Sequence, residues 1–381
     1  MRRRVLLASS AGLFLPSLVP GCQRKTTDLT LTLPKGSIPA QLIQIFRRQQ
    51  ARGTGIGVTS QDSPLDIHRL LEVWQGKAAA QGKAGEVVSW AAQTDTWVEP
   101  NQRQGLIQPI DPTGLSHWSD LHPLWLQLLQ RNSQGLLTPG GPVWGIPYRW
   151  TGLAIVYDRS KLPGQISLQN WADLLQPALQ HQIMLPDQPR LILGLGLKAL
   201  GASANQEDLR AVNGLEDFLT HLHRQVRWYD SQNTLKALIK GDALAVVTWL
   251  DAIVPVVKQY PNLGVAIPPQ GTLISADLWV RPKQSRPPTD LAMAWLNFCL
   301  SPAFTEPLAI YGHGLSPQLW GASPAQIPPS LKSQAGLFSA LSKSEFLYPL
   351  RGSAQESYRA FWQRMGQKLS YGVKGMFRAA L

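Results

Sequence analysis

Short β-prone runs alternate with amphipathic helical stretches almost from the first ordered-looking residue. Residues 29–33 read as a strand, and Lys35-Gly36-Ser37 as a turn. Residues 38–50 then carry Ile38, Leu42, Ile45 and Phe46 on one helical face. A second strand at 56–58 is followed by a helix at 64–75 that turns Leu65, Leu70, Leu71 and Trp74 inward. A third strand follows at 86–90. This rhythm means βαβ units and a largely parallel sheet, an α/β fold. Such sheets bind ligands beyond the carboxyl ends of their strands. Those ends are residues 34–37, 60–62 and 91–97, and the last loop carries Thr94, Asp95 and Trp97.

The pattern continues with extended segments at 143–148 and 152–157, a short helix from Trp171 and a strand at 183–185. Helices are expected at 191–200, 207–224, 234–240 and 290–300, and strands at 243–249, 265–267 and 278–281. The tail, 355–378, reads as a basic helix with Tyr358, Phe361, Trp362, Met365 and Leu369 on one face. A chain of 381 residues exceeds one ordinary core. We therefore expect two lobes: residues 29–148 form the first, 149–268 the second, and 269–312 return to the first. Residues 313–381 are expected to pack as a helical segment on the second lobe. Crossovers of this kind form a hinge, and the cleft between the lobes is a natural ligand site.

The amino terminus is a processing segment. Arg2, Arg3 and Arg4 precede an apolar run of 15 residues, 5–19, and then Pro20-Gly21-Cys22. Basic, apolar, small is the order of a secretory signal, and the run falls short of the roughly 20 residues of a membrane-spanning helix. Residues 1–21 are thus expected to be a signal peptide. Cys22 after Gly21 is similar to a bacterial lipobox, which implies a lipid on Cys22 and a tether over 22–28. Arg3-Arg4-Val5-Leu6-Leu7 resembles a twin-arginine start, while a plain basic head would serve the general route, and both remain open. Apart from Cys22 there is only Cys299, set in an apolar stretch, so no disulfide framework is expected and Cys299 reads as a buried thiol. Net charge is +12, and removing residues 1–21 takes away three arginines and no acid. The basic residues are scattered, with no stripe of the kind nucleic acid demands.

The segment Gly145-Ile146-Pro147-Tyr148-Arg149-Trp150-Thr151-Gly152-Leu153-Ala154-Ile155-Val156-Tyr157-Asp158 resembles the first hinge strand of bacterial extracellular solute-binding proteins of ABC transporters, the spermidine/putrescine-binding branch in particular. The resemblance continues through Gly105 to Asp111, Asn170 to Leu174, Leu185 to Arg190, Gly194 to Gly201, Gly241 to Trp249 and Trp295 to Phe298. It implies a two-lobed type II periplasmic-binding fold with an interlobe cleft. It also implies a small-solute ligand, a membrane permease as partner, and a periplasmic or cell-envelope location. A monomer is expected, with no nucleic acid, no metal and no cofactor.

Within that resemblance, polyamine binders hold ammonium groups with carboxylates and stack aromatics on the methylene stem. The family's two acids after the Leu185 strand fall on Gln188 and Leu191. Its aromatic–acid pair on the return strand falls on Ile274 and Ala276, with Asp277 one step away. Trp97 and Trp249 match family aromatics, and Asp95 and Asp251 stand beside them. The candidate ligand-binding set is therefore Thr94, Asp95, Trp97, Tyr148, Trp150, Gln188, Trp249, Asp251 and Asp277. Tyr148 and Trp150 serve equally as hinge packing, and Arg149 reads as a solvated side chain or an anion contact.

No zinc spacing, HExxH, G-x-S-x-G elbow or phosphate loop occurs in the sequence. The expected function is capture of a polyamine-like solute for an ABC-type importer, without catalysis. Two alternatives stay open: a sensor or assembly lipoprotein that has lost its ligand, and an exported hydrolase.

Overall fold

In the computed structural model the described residues are 27–50, 53–81, 87–164, 166–312, 314–322, 327, 329 and 335–368. Cys22, the signal segment and most of the tether lie outside them.

The first lobe is built on β1 (Thr27–Pro34), α1 (Ala40–Gln50), β2 (Gly55–Gln61), α2 (Pro64–Gln81), β3 (Trp90–Thr94), α3 (Asp95–Arg103), the short β4 (Ile107–Gln108) and α4 (Pro123–Leu129). Parallel pairing of β1 with both β2 and β3 gives the expected βαβ units. The third strand starts later than its sequence suggests. Alanines at 91 and 92 are poor strand formers, yet they pair antiparallel with a later strand, and tertiary pairing overrides propensity. The shift brings Thr94 into the sheet and places Asp95 and Trp97 on the first turn of α3 rather than in a loop.

β5 (Ile146–Asp158) is one unbroken strand of 13 residues. The second lobe then adds β6 (Ile183–Leu185), α5 (Pro189–Ala199), α6 (Leu215–Gln225), β7 (Val226–Tyr229), α7 (Thr234–Lys240), β8 (Ala245–Trp249), α8 (Leu250–Val257) and β9 (Leu263–Ala266). The helix expected over 207–224 is split. Gly214 adopts a left-handed backbone at φ 80°, which glycine tolerates, and separates a single turn at Leu209–Ala211 from α6. The chain returns through β10 (Leu273–Pro282), α9 (Asp290–Leu300), α10 (Pro302–Pro307), α11 (Ala335–Ala340), β11 (Glu345–Phe346) and α12 (Gly352–Lys368). Thr289 caps α9 by accepting the Ala292 N–H, and the helix buries Trp295, Leu296, Phe298 and Cys299.

The main sheet path runs β2-β1-β3-β10-β5-β8-β6-β7, with β9 paired to β5. The two lobes repeat one order. In the first, three parallel strands are followed by the antiparallel β10 and then β5; in the second, three parallel strands are followed by the antiparallel β5 and then β9. Each lobe thus takes its antiparallel strand from a segment shared with the other. This is the two-lobed type II arrangement.

Side-chain alternation along β5 decides which core each residue serves. Ala154 and Val156 join a large cluster with Trp90, Trp125, Trp279 and Trp295. Leu153, Ile155 and Tyr157 join a second cluster with Leu193, Leu219 and Leu222. α12 buries Tyr358, Phe361, Trp362 and Met365 in that second cluster, whereas Leu315, Leu319 and Phe346 belong to the first.

Candidate functional site

Three neighbouring strands carry the polar row at the centre of the molecule. In register, Thr94 on β3 faces Asp277 on β10, and Asp277 faces Arg149 on β5. β10 slips its register against β5 between Asp277 and Leu278. Two residues along each strand, Thr151 opposes Ser275, so the same face carries Arg149, Thr151, Ser275 and Asp277. The opposite face of β10 turns Ile274 and Ala276 into the core, where they are 2% and 0% exposed.

Two strand-to-helix turns complete the site. β3 ends at Thr94 and α3 begins with Asp95; β8 ends at Trp249 and α8 carries Asp251 in its first turn. These are the carboxyl ends of the corresponding strands of the two lobes, where α/β sheets hold ligands.

Arg149 organises the centre. Its Nε and Nη2 donate to Asp277 Oδ2 at 2.7 and 2.5 Å, and its Nη1 lies 3.2 Å from Asp251 Oδ2. All three side chains are largely withdrawn from water, with 13% exposure for Arg149, 11% for Asp277 and 19% for Asp251. Asp251 is fixed further. Its N–H donates to Thr151 Oγ1 at 3.2 Å, and Thr151 Oγ1 donates to Asp251 Oδ1 at 3.3 Å. Burial opposes the charge on Arg149, but Asp277 and Asp251 more than offset it and hold the guanidinium above its ordinary range. Burial pushes the Asp277 carboxyl up; Arg149 pulls against this, and Asp251 adds to the rise.

Asp95 forms a second buried carboxylate behind this row. Its Oδ1 accepts the Ala276 N–H at 3.0 Å and Ser275 Oγ at 3.2 Å, while Oδ2 is buried without a hydrogen-bond partner. Burial pushes Asp95 up to about 6, against the Ala276 N–H, the nearby Arg131 and the Ser275 hydroxyl. The Arg131 Nη2 donates to the Asp95 carbonyl at 3.4 Å.

Of the residues expected to line the cleft, Asp251 and Asp277 meet on Arg149, Thr94 pairs with Asp277 in the sheet, and Asp95 lies just behind them. Trp97 is half-buried against the His68 ring, with centroids 4.6 Å apart. Trp249 is half-buried and packs on the second cluster. Gln188 sits exposed at the N-cap of α5, with no side-chain hydrogen bond among the described residues. Tyr148 and Trp150 are not on this face. Tyr148 is buried in a stack on Trp279, centroids 5.0 Å apart. Trp150 packs on Trp320 and donates from Nε1 to the Ser316 carbonyl at 2.9 Å. Their parity on β5 is opposite to that of Arg149.

Arg149 is the residue that sequence reasoning misplaced. It is neither solvated nor free to contact an anionic ligand, but is the partner of two carboxylates. A signal was present: an arginine between Tyr148 and Trp150, on a strand buried on both sides, needs an ionic partner. Among the described residues no group of three or more His, Cys, Asp or Glu side chains is arranged to hold a metal ion.

Residues 73–337 match the profile of a family described as bacterial extracellular solute-binding protein. The spermidine/putrescine-binding periplasmic protein of Salmonella typhimurium is 22% identical over 272 residues, covering 71% of this chain and 74% of the relative. A putrescine-binding periplasmic protein of Escherichia coli is 23% identical over 265 residues, 65% of this chain and 68% of its own length. Among solved structures, the spermidine/putrescine ABC transporter substrate-binding protein of Streptococcus pneumoniae superposes with a TM-score of 0.73 at 21% identity, covering 89% of this chain and 98% of that one. A lipoprotein of Treponema pallidum gives 0.67 at 17% identity, covering 88% and 98%.

Proposed function

The chain belongs to the bacterial extracellular solute-binding protein family, and we propose that it captures a small polyamine-like solute between its lobes and delivers it to an ABC-type membrane permease. One observation carries the choice of ligand: carboxylates from both lobes, Asp277 on β10 and Asp251 on α8, converge on a single guanidinium. A site that already satisfies one organic cation with two acids has the chemistry for an alkylammonium group. Trp97 and Trp249, at the matching strand ends, supply aromatic faces for a methylene stem. The polyamine specificities named for the Salmonella and Escherichia relatives support the same ligand class.

Capture by closure needs no reacting group, so this reading assigns the protein binding without catalysis. Ligand contacts to both lobes would shift the population toward the closed form. The signal segment and Cys22 support a mature chain tethered by lipid at the cell envelope, and on this reading it meets its permease there as a monomer.

The test is a thermal-shift and calorimetric screen of the purified protein against putrescine, spermidine, amino acids and sugars. A polyamine at a hundredfold excess over its Kd should stabilise the native state by about 2.7 kcal/mol. A shift with another solute class, and none with polyamines, would refute the ligand assignment and leave the transport role. Metabolic labelling with a radioactive fatty acid should mark the wild-type chain and not Cys22→Ser.

A further inference from the structure

The carboxylate pair is already occupied. Arg149 uses Nε and both terminal nitrogens on Asp277 and Asp251, the two acids best placed to receive an ammonium group. The arrangement is built rather than incidental. Gly314 packs so closely on the Arg149 stem that a methyl group there would overlap Cγ and Cδ, so glycine at 314 is what lets the side chain lie along this path. Thr151 fixes Asp251 by a reciprocal pair of hydrogen bonds, and the strand register fixes Asp277 opposite Arg149. Two carboxylates against one guanidinium leave a single net negative charge in a place largely closed to water.

An incoming alkylammonium and the Arg149 guanidinium therefore compete for the same oxygens. Arg149 already holds Oδ2 of both acids, and Thr151 holds Oδ1 of Asp251, so an ammonium group that approaches the pair meets carboxylates whose charge is largely committed. We propose that Arg149 is a resident counter-ion and the specificity-determining residue of the cleft: a cationic solute engages the Asp251–Asp277 pair in competition with its guanidinium. This inference rests on the solute-binding reading above. Competition lowers affinity for any cation, since the solute must share the acids with a tethered guanidinium that already neutralises one of their two charges. Arg149 is thus the point at which this chain differs in chemistry from a cleft with open carboxylates.

The experiment compares purified wild type with Arg149→Met, whose side chain follows the stem without the charge. Isothermal calorimetry with putrescine should show binding at least tenfold tighter in the variant. Methylguanidinium at millimolar concentration, which can refill the vacated place, should raise the melting temperature of Arg149→Met and leave that of wild type unmoved. If a folded Arg149→Met binds putrescine no more tightly than wild type and ignores methylguanidinium, the proposal is overturned. If neither protein binds putrescine or spermidine but methylguanidinium stabilises the variant alone, Arg149 keeps its role and the polyamine reading falls instead. Should Arg149→Met not fold, Arg149→Lys keeps a cation that engages the acids as a point charge. Putrescine should then bind several-fold more tightly than to wild type, and equal or weaker binding overturns the proposal.

Discussion

Replacing Asp95 by asparagine tests the electrostatics behind the polar row. Asp95 is 2% exposed, and its Oδ2 has no hydrogen-bond partner. Burial raises its pKa from 3.8 to about 6. The folded protein therefore binds this proton more tightly than the unfolded chain does. For such a group stability falls as pH rises, beginning near the unfolded value and ending above the folded one. With the carboxyl at about 6 in the folded chain and 3.8 in the unfolded one, and 1.36 kcal/mol per unit between them, wild type should lose roughly 2.5 kcal/mol between about pH 4 and pH 7 from this carboxyl alone. In Asp95→Asn the new side chain would keep an oxygen for the Ala276 N–H and Ser275 hydroxyl but carry no charge. Any cost of its amide nitrogen, about 1–3 kcal/mol for a buried unpaired donor, is independent of pH. The measurable quantity is thus the difference between the proteins, not either stability by itself. Urea unfolding followed by tryptophan fluorescence at pH 4, 5, 6 and 7 would give it. The variant should gain on wild type by roughly 2.5 kcal/mol across that range. A difference that stays constant from pH 4 to pH 7 would refute the argument and mean that Asp95 is solvated or paired in its ionised form.

Two further expectations concern the cores. Trp171 is fully buried and its Nε1 donates to the Gly271 carbonyl at 2.9 Å, so Trp171→Phe should destabilise by about 2 kcal/mol, the cost of an orphaned carbonyl and a small void, read in denaturant melts. Cys299 lies in the core with its sulfur against Trp279 Nε1 at 3.3 Å, and burial pushes its thiol well above the ordinary range. In a Cys22→Ser protein it should react with Ellman's reagent only after unfolding, and rapid labelling of the native state would contradict its placement.

Much of the architecture could be read directly. The alternation of apolar periods 2 and 3.6 is a local property, so β1, α1, β2 and α2 were legible from the spacing of Leu29, Leu42, Phe46 and Leu71. The ordered segments from Gly145 onward carried the family and, with it, the two-lobed fold. Boundaries fared worse where pairing partners are distant. Ala91 and Ala92 become strand only because β10 lies beside them.

The site depended on parity along the strand, which likeness to family segments does not fix. A one-residue displacement along β10 exchanges Ile274 and Ala276, which face the core, for Ser275 and Asp277, which face Asp95 and Arg149. The same alternation on β5 sends Tyr148 and Trp150 inward and Arg149 outward to the acids. The amino-acid sequence determined the kind of fold and the helices and strands from which it is built, because those follow from nearest-neighbour spacing. Only the tertiary structure decided that residues 149, 251 and 277, brought together from distant parts of the chain, share one set of charges, since that rests on strand register and on the crossing of β5 between the lobes.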